Sequence, residues 1–263
     1  LSLHLMERPT VVLISTNSKP VIVLPELEME KLKLSKIKLL PFTFGDDPST
    51  WQAAFDKALQ SINLQNATIG VEGTRMRFLE LSFLNKAAPG INFIDANQII
   101  SNLRIQKDEE ELACMQKAAQ IAQDALKSTL PSIKIGCTEK EIASELVVNM
   151  LRLGNDPELP FAPIVSSGPN GANPHATPSD RKMVEGDLLV IDWGAAYNGY
   201  FSDITRTFAI GKIDPEFETI HKTVQAANAA GRAAGKPGVA AGKVDDAART
   251  VIETAGYGQY FTH

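Results

Sequence analysis

The dipeptide Asn198-Gly199 constrains this chain more than any other feature, because it joins two runs of strand-forming residues. Asn-Gly is the pair best suited to a two-residue hairpin turn, in which both central residues take positive φ. The flanking runs, Asp187 to Tyr197 and Tyr200 to Ile210, are therefore expected to pair with Tyr197 opposite Tyr200. That register puts Asp192 opposite Thr205 and Asp203 opposite Gly194, all on one face, since strand side chains alternate with period two. The two aspartates become diagonal neighbours, about 7–8 Å apart at Cα and closer at their carboxylates.

The strands around them, Leu188-Leu-Val-Ile191 and Ile204 to Ile210, are apolar enough to be expected inside. Two carboxylates converging there repel each other and lose hydration, so something must compensate. A shared proton would serve, as would a basic partner such as Arg206, and a divalent cation would serve best because hard cations take carboxylate oxygens. The ordinary alternative is a solvated or ion-paired face. His175 lies nearby in sequence, in Gly168-Pro-Asn-Gly-Ala-Asn-Pro-His-Ala-Thr-Pro-Ser-Asp180. That loop is Gly-rich but lacks the Gly-Lys-Ser/Thr ending of a phosphate cradle, and its histidine is open to a solvated or a catalytic reading. His221 is expected on a helix surface and His4 in a frayed end, and His263 is the final residue. No His-Glu-x-x-His, Cys-x-x-Cys or Gly-x-Ser-x-Gly occurs, which argues against a zincin, a zinc ribbon and an α/β-hydrolase.

Composition narrows the classes further. With 44% hydrophobic and 22% charged residues over 263 positions, the chain has the make-up of one large globular domain or two modest ones. No apolar run approaches the roughly 20 residues of a membrane-spanning helix, so a membrane partner is not expected. A net charge of −5 with no dense Lys/Arg block argues against nucleic acid. Two cysteines, Cys114 and Cys137, are too few for a stapled scaffold and suggest reduced thiols in a cytoplasmic protein.

Two parts are expected, meeting near residue 104. In residues 1–104, strand runs at Val11 to Ile14 and Val21 to Leu24 flank a turn at Asn17-Ser18-Lys19-Pro20. Helical spacing follows over Trp51 to Leu64, a strand over Ile69 to Glu72, a helix over Arg75 to Lys86 and a strand over Ile91 to Ile94, making an α/β layer domain. In residues 105–263, a long helix is expected over Lys107 to Leu130, with acidic residues at its start where the helix dipole favours them. Thr138-Glu-Lys-Glu141 is a capping box opening a helix to Leu153. A loop over Ser166 to Asp180 and the hairpin come next, then helices over Pro215 to Ala234 and Lys243 to Ala255.

The helices repeat. Gly136 and Gly238 each precede a helix that Gly154 and Gly256 end, with copies offset by 102 residues and Ile142, Leu146 and Met150 falling on Val244, Ala248 and Ile252. Two amphipathic helices ending in glycine can align by chance, which is the plain alternative. If the duplication holds, the second copy is expected to stop halfway, before its own strands. The start at Leu1 and the close at Phe261-Thr262-His263 likewise suggest cut ends.

Asp192-Trp-Gly-Ala-Ala-Tyr-Asn-Gly-Tyr-Phe-Ser-Asp-Ile-Thr-Arg-Thr-Phe208 strongly resembles the first metal-binding segment of the Xaa-Pro aminopeptidase and prolidase family. Asn173-Pro-His-Ala-Thr-Pro-Ser-Asp180 is similar to the loop preceding it, and Phe261-Thr-His263 to the start of the family's next histidine segment. The resemblance implies an α/β (α+β) chain: a creatinase-like α/β domain over 1–104, then a pita-bread peptidase domain over 105–263, incomplete in its C-terminal half. It implies hydrolysis of the peptide bond before a proline, with two divalent metals activating a bridging hydroxide. Asp192 would ligate one metal, Asp203 would bridge both, His175 would stabilise the tetrahedral intermediate, and His263 would contact substrate. Mn²⁺ is the expected ion, with Co²⁺ or Zn²⁺ as alternatives. Proline-containing peptides are the expected partners, and a homodimer the expected assembly. The family's remaining histidine and two glutamate ligands would lie beyond His263, so the chain as written is expected to be an inactive fragment. The alternatives are a creatinase-like hydrolase without metals, against which both aspartates argue, a methionine aminopeptidase, for which residues 1–104 would be unusual, and a non-catalytic pita-bread module that binds peptides or proteins.

Overall fold

The computed structural model describes residues 7–62, 64 and 67–262. The chain divides into two compact units, Leu1–Lys107 and Asp108–His263.

The first unit is built around one strand buried on both faces. β1 (Val11–Leu13) pairs antiparallel with β2 (Val21–Pro25), and β3 (Leu40–Phe44) returns parallel to β2 after helix α1 (Met29–Leu34). Every residue of β2 is buried, as expected of a continuous apolar run in the centre of a sheet. Alternation divides its contacts: Val21 and Val23 join a core with Phe44, Phe55 and Leu84, while Ile22 and Leu24 pack with Leu32 of α1. α2 (Trp51–Gln60), β4 (Thr68–Val71), α3 (Phe78–Ala87), β5 (Asn92–Asp95) and α4 (Asn97–Ile105) complete the unit, with β4 and β5 parallel.

Several expectations are corrected here. The helix expected to reach Leu64 stops at Gln60. The helix expected from Arg75 begins at Phe78, because the Glu72 carbonyl accepts from both Arg75 and Met76 in a turn and Arg77 is extended. α1 and β3 are not apparent in the sequence pattern: α1 is a six-residue Lys-rich helix, and β3 carries Pro41, which suits its edge position.

The second unit packs two helices on one face of an antiparallel sheet. α5 (Glu109–Thr129) and α6 (Glu139–Arg152) both open with capping boxes, Asp108 with Glu111 and Thr138 with Glu141. Their apolar stripe, including Ile121, Ala125, Ile142, Leu146 and Met150, meets Leu189, Ile191 and Trp193 in one core. The sheet runs β10-β7-β6, from β6 (Ile164–Ser167), β7 (Leu188–Trp193) and β10 (Ile204–Ala209). Between β7 and β10 the ribbon narrows to β8 (Ala196–Tyr197) and β9 (Tyr200–Phe201). α7 (Pro215–Ala234) and α8 (Ala241–Thr254) follow and pack on each other, with Gly231 against Ala248 and Val244. β6 is a further correction: Ser166 and Ser167, expected at the start of a loop, finish a strand paired with Val190 and Leu189.

The repeat is visible in the backbone. α6 and α8 span residues offset by 102 at both ends, and Gly136, Gly154, Gly238 and Gly256 all have positive φ. Both helices end in the same motif, in which Asn155 donates to the Met150 carbonyl and Tyr257 to that of Ile252.

Candidate active site

The hairpin has the register expected from its turn. Tyr197 pairs with Tyr200, Thr205 with Asp192 and Ile204 with Trp193, without a bulge. Asn198 and Gly199 have φ of 50° and 78°, the double left-handed turn that Asn-Gly favours. Hydrogen bonds tie this ribbon to its surroundings, among them Ala196 N–H to Asn155 Oδ1 at 2.7 Å. Trp193 Nε1 donates to the Ala122 carbonyl at 3.0 Å, Ser202 Oγ to that of Ala118 at 3.2 Å, Tyr200 Oη to Glu111 at 2.7 Å, and Gly199 N–H to Asp156 at 3.0 Å. Gly194 permits the close crossing after β7, since a Cβ there would lie 2.0 Å from the Ser202 carbonyl oxygen.

Pinned in this way, the ribbon brings Asp192 and Asp203 together. Residues 189, 191 and 193 of β7 are buried in the core, so Asp192 lies on the opposite face, half-buried. Thr205 Oγ1 donates to Asp192 Oδ1 at 3.0 Å, confirming that the two share that face. Burial pushes the Asp192 carboxyl above the ordinary carboxylate range. The Thr205 hydroxyl pulls it back, and the facing Asp203 pushes it up again.

The expected burial of both strands is only half realised. β10 is the edge strand and most of its residues are exposed, Thr205 included, as is Asp203 just before it. Arg206 is not the counter-charge, since its guanidinium donates to the Thr205 carbonyl at 2.8 Å. Two hard oxygen donors on one half-buried face suit part of a divalent-cation shell. Among the described residues no group of three or more His, Cys, Asp or Glu gathers as a metal site.

His175 is exposed in the loop that follows β6 and a short 3₁₀ turn, Gly168–Ala172, and its backbone N–H donates to Asn173 Oδ1 at 3.0 Å. Gly171 places the start of this loop over the aspartate-bearing face, where a Cβ would lie 3.6 Å from Val190 Cγ2, two residues before Asp192. His221 is on an exposed helix surface, as expected. His4 and His263 lie outside the described residues. Both cysteines are free thiols, and no helix among the described residues is long and apolar enough to cross a membrane.

Residues 113–263 match the model of metallopeptidase family M24, and residues 5–106 match the creatinase/prolidase N-terminal domain. The chain belongs to family M24. It is 36% identical over 241 residues to the Xaa-Pro dipeptidase of Pyrococcus furiosus, covering 91% of this chain and 65% of that enzyme. It therefore spans a little under two thirds of that relative's length. The fold matches the crystal structure of a dipeptidase from Pyrococcus horikoshii with a TM-score of 0.89 and 32% identity, over 98% of this chain and 70% of that one. The Xaa-Pro dipeptidase of Bacillus anthracis gives 0.86 at 28% identity, again over 98% of this chain and 70% of the other. The α+β architecture of a creatinase-like domain followed by a pita-bread domain is thus that of the M24 peptidases.

A group of residues around the His175 loop has no signature in the sequence pattern. Glu139, the first residue of α6, is fully buried and accepts hydrogen bonds from Ser167, Asn170 and Ser179. Beside it Arg181 pairs with Asp187, its two terminal nitrogens 2.6 and 2.8 Å from the carboxylate oxygens. These partners are spread over some fifty residues with no shared period. Only the capping box at Thr138 marks where the helix carrying Glu139 begins.

Proposed function

We propose that this chain contributes to a metal-dependent peptidase site that cleaves the peptide bond preceding a proline. The observation carrying the reading is the Asp192–Asp203 pair on one face of the hairpin, with Asp192 held by Thr205. In this reading Asp192 and Asp203 would hold divalent metal through their carboxylates, with Mn²⁺ the proposed species. The ions would supply Lewis acidity toward the substrate carbonyl and a water of lowered pKa. The chain's own residues do the rest. Thr205 fixes the Asp192 carboxylate through its hydroxyl. His175 is proposed to donate a hydrogen bond to the substrate carbonyl oxygen as charge develops there. His263 is proposed to contact substrate. Proline-containing dipeptides fit the Xaa-Pro dipeptidase of Pyrococcus furiosus to which the chain is similar, and comparison of an Xaa-Pro dipeptide with an Xaa-Pro-Yaa tripeptide would separate dipeptidase from aminopeptidase action.

The test is Asp203→Asn in the full-length gene product. It is expected to abolish Xaa-Pro hydrolysis and weaken Mn²⁺ binding measured by calorimetry, with circular dichroism and thermal unfolding unchanged. Normal turnover in that variant would sink the site assignment. Mn²⁺ binding without any hydrolysis by the parent protein would favour a non-catalytic peptide-binding module instead.

A further inference from the structure

Glu139 is a buried carboxylate with an unusual number of donors, arranged in two sets. Oε1 accepts from the Ser167 backbone N–H at 2.6 Å and the Ser167 hydroxyl at 2.9 Å. Oε2 accepts from the Ser179 backbone N–H at 2.9 Å and the Ser179 hydroxyl at 2.6 Å. The Asn170 amide lies 3.1 Å from both oxygens. Each oxygen thus holds one end of the loop that carries His175, and Asn170 ties the two ends together. Burial by itself would push the Glu139 carboxyl up, but the bonds from Ser179 and Ser167 outweigh it and hold the group below its ordinary range.

The other ties on the loop ends are also polar: Arg181 donates to Ser167 Oγ at 2.7 Å, Asn170 to Ser179 Oγ at 3.3 Å and the Lys140 N–H to the Ser179 carbonyl at 3.2 Å. Beyond Ala172 the loop has no regular structure, and Ala176 is its one buried apolar residue. Removing a carboxylate from water is costly, and an apolar contact would join the loop ends more cheaply. What the carboxylate adds is directional restraint on two backbone N–H groups that no apolar side chain could fix.

We infer that Glu139 is a positioning residue: it clamps both ends of the 168–178 loop and so fixes His175 over the Asp192–Asp203 face. This rests on the peptidase reading of His175 given above. A glutamine at 139 offers one acceptor where two are needed, and its amide would meet N–H donors at one end of the loop, releasing that end.

The experiment compares Glu139→Gln, His175→Ala and the double variant in the full-length gene product loaded with Mn²⁺. The readouts are kcat and KM on alanyl-proline, and amide hydrogen exchange over 166–180 and 188–209. Glu139→Gln is expected to lower kcat on the order of 10–100-fold, the scale of a small misplacement of a reacting group, with KM little changed. Exchange should quicken in 166–180 and stay unchanged in 188–209. In the His175→Ala background Glu139→Gln should cost less than about 2-fold, because residues acting as a unit are non-additive. Equal factors in both backgrounds would overturn the positioning role, and unchanged exchange would overturn the clamp. A His175→Ala protein as active as the parent would bring down the peptidase reading of His175 and the positioning role with it; the exchange data alone would then decide the clamp. If Glu139→Gln does not fold, Ser179→Ala, which removes one hydroxyl from Oε2, carries the same comparison.

Discussion

The helix pairs α5–α6 and α7–α8 begin from similar sequences and end in different environments. α6 and α8 have the same length, the same glycine at each end and the same terminal hydrogen bonds, 102 residues apart. Yet α6 buries Ile142, Leu146 and Met150 almost completely, while at the matching positions of α8 only Ile252 is buried. The first pair lies against β7, whose Leu189, Ile191 and Trp193 fill the space between the helices. Among the described residues no strand follows the second pair. The glycine-bounded pattern sets where each helix starts and stops, and the sheet decides how much of its stripe becomes core.

That contrast can be broken most directly at equivalent positions. Ile142→Ala should cost about 2–5 kcal/mol, the usual loss on truncating a fully buried aliphatic side chain. Val244→Ala, on the half-buried counterpart, should cost clearly less. Denaturant midpoints of the two variants test this, and equal losses would mean that α8 is as tightly packed as α6. Next in size is Gly194→Ala, in the hairpin of the first copy. A Cβ 2.0 Å from the Ser202 carbonyl oxygen forces the backbone apart, at a cost of about 1–3 kcal/mol. Because the same shift would move Asp203, a ligand in the proposed metal site, Gly194→Ala should weaken divalent-metal binding more than Gly242→Ala, where a Cβ meets nothing.

A third difference appears only in acid. Glu139 has no counterpart in the second copy, where Ala241 stands at the matching position. Its folded pKa is depressed, so the unfolded chain binds the proton more readily and stability rises with pH. The contribution is complete above the unfolded value of about 4.3 and is lost as pH falls through the lower folded value. Glu139→Gln should flatten the acid limb of stability against pH. An unchanged slope would show that the carboxylate is not ionised in the fold.

The same contrast explains what could be read from sequence. The hairpin was legible because Asn198-Gly199 fixes a register, and a register fixes which side chains face each other. Asp192, Thr205 and their shared face followed without any knowledge of packing. The helix ends were legible because glycine and the capping boxes are local signals. How deeply β10 lies was not, because Ile204 to Ile210 reads as apolar whether the strand is central or at an edge, and strand order is not a local property. Nor was Glu139, whose partners at 167, 170 and 179 meet it only after β6 has paired with β7. α1 and β3 were missed for a similar reason: only packing against β2 makes six Lys-rich residues a helix.

The smallest effect tests whether the two copies can be made more alike. Thr138 caps α6 through its side chain and Glu141 reciprocates, whereas Ala240 offers α8 no side-chain cap. Thr138→Ala should therefore cost about 1 kcal/mol. Ala240 already has the extended backbone of a capping residue, with φ −62° and ψ 135°, so Ala240→Ser needs no rearrangement to cap α8. Its gain should be smaller than the loss at Thr138, because Lys243 stands where the capping box needs a glutamate. Adding Lys243→Glu would complete the box at the expense of an exposed Lys243–Asp246 pair at 3.0 Å, worth a few tenths of about 1 kcal/mol. A double variant no more stable than Ala240→Ser alone would show that the start of α8 is fixed by its contacts with α7 rather than by its cap.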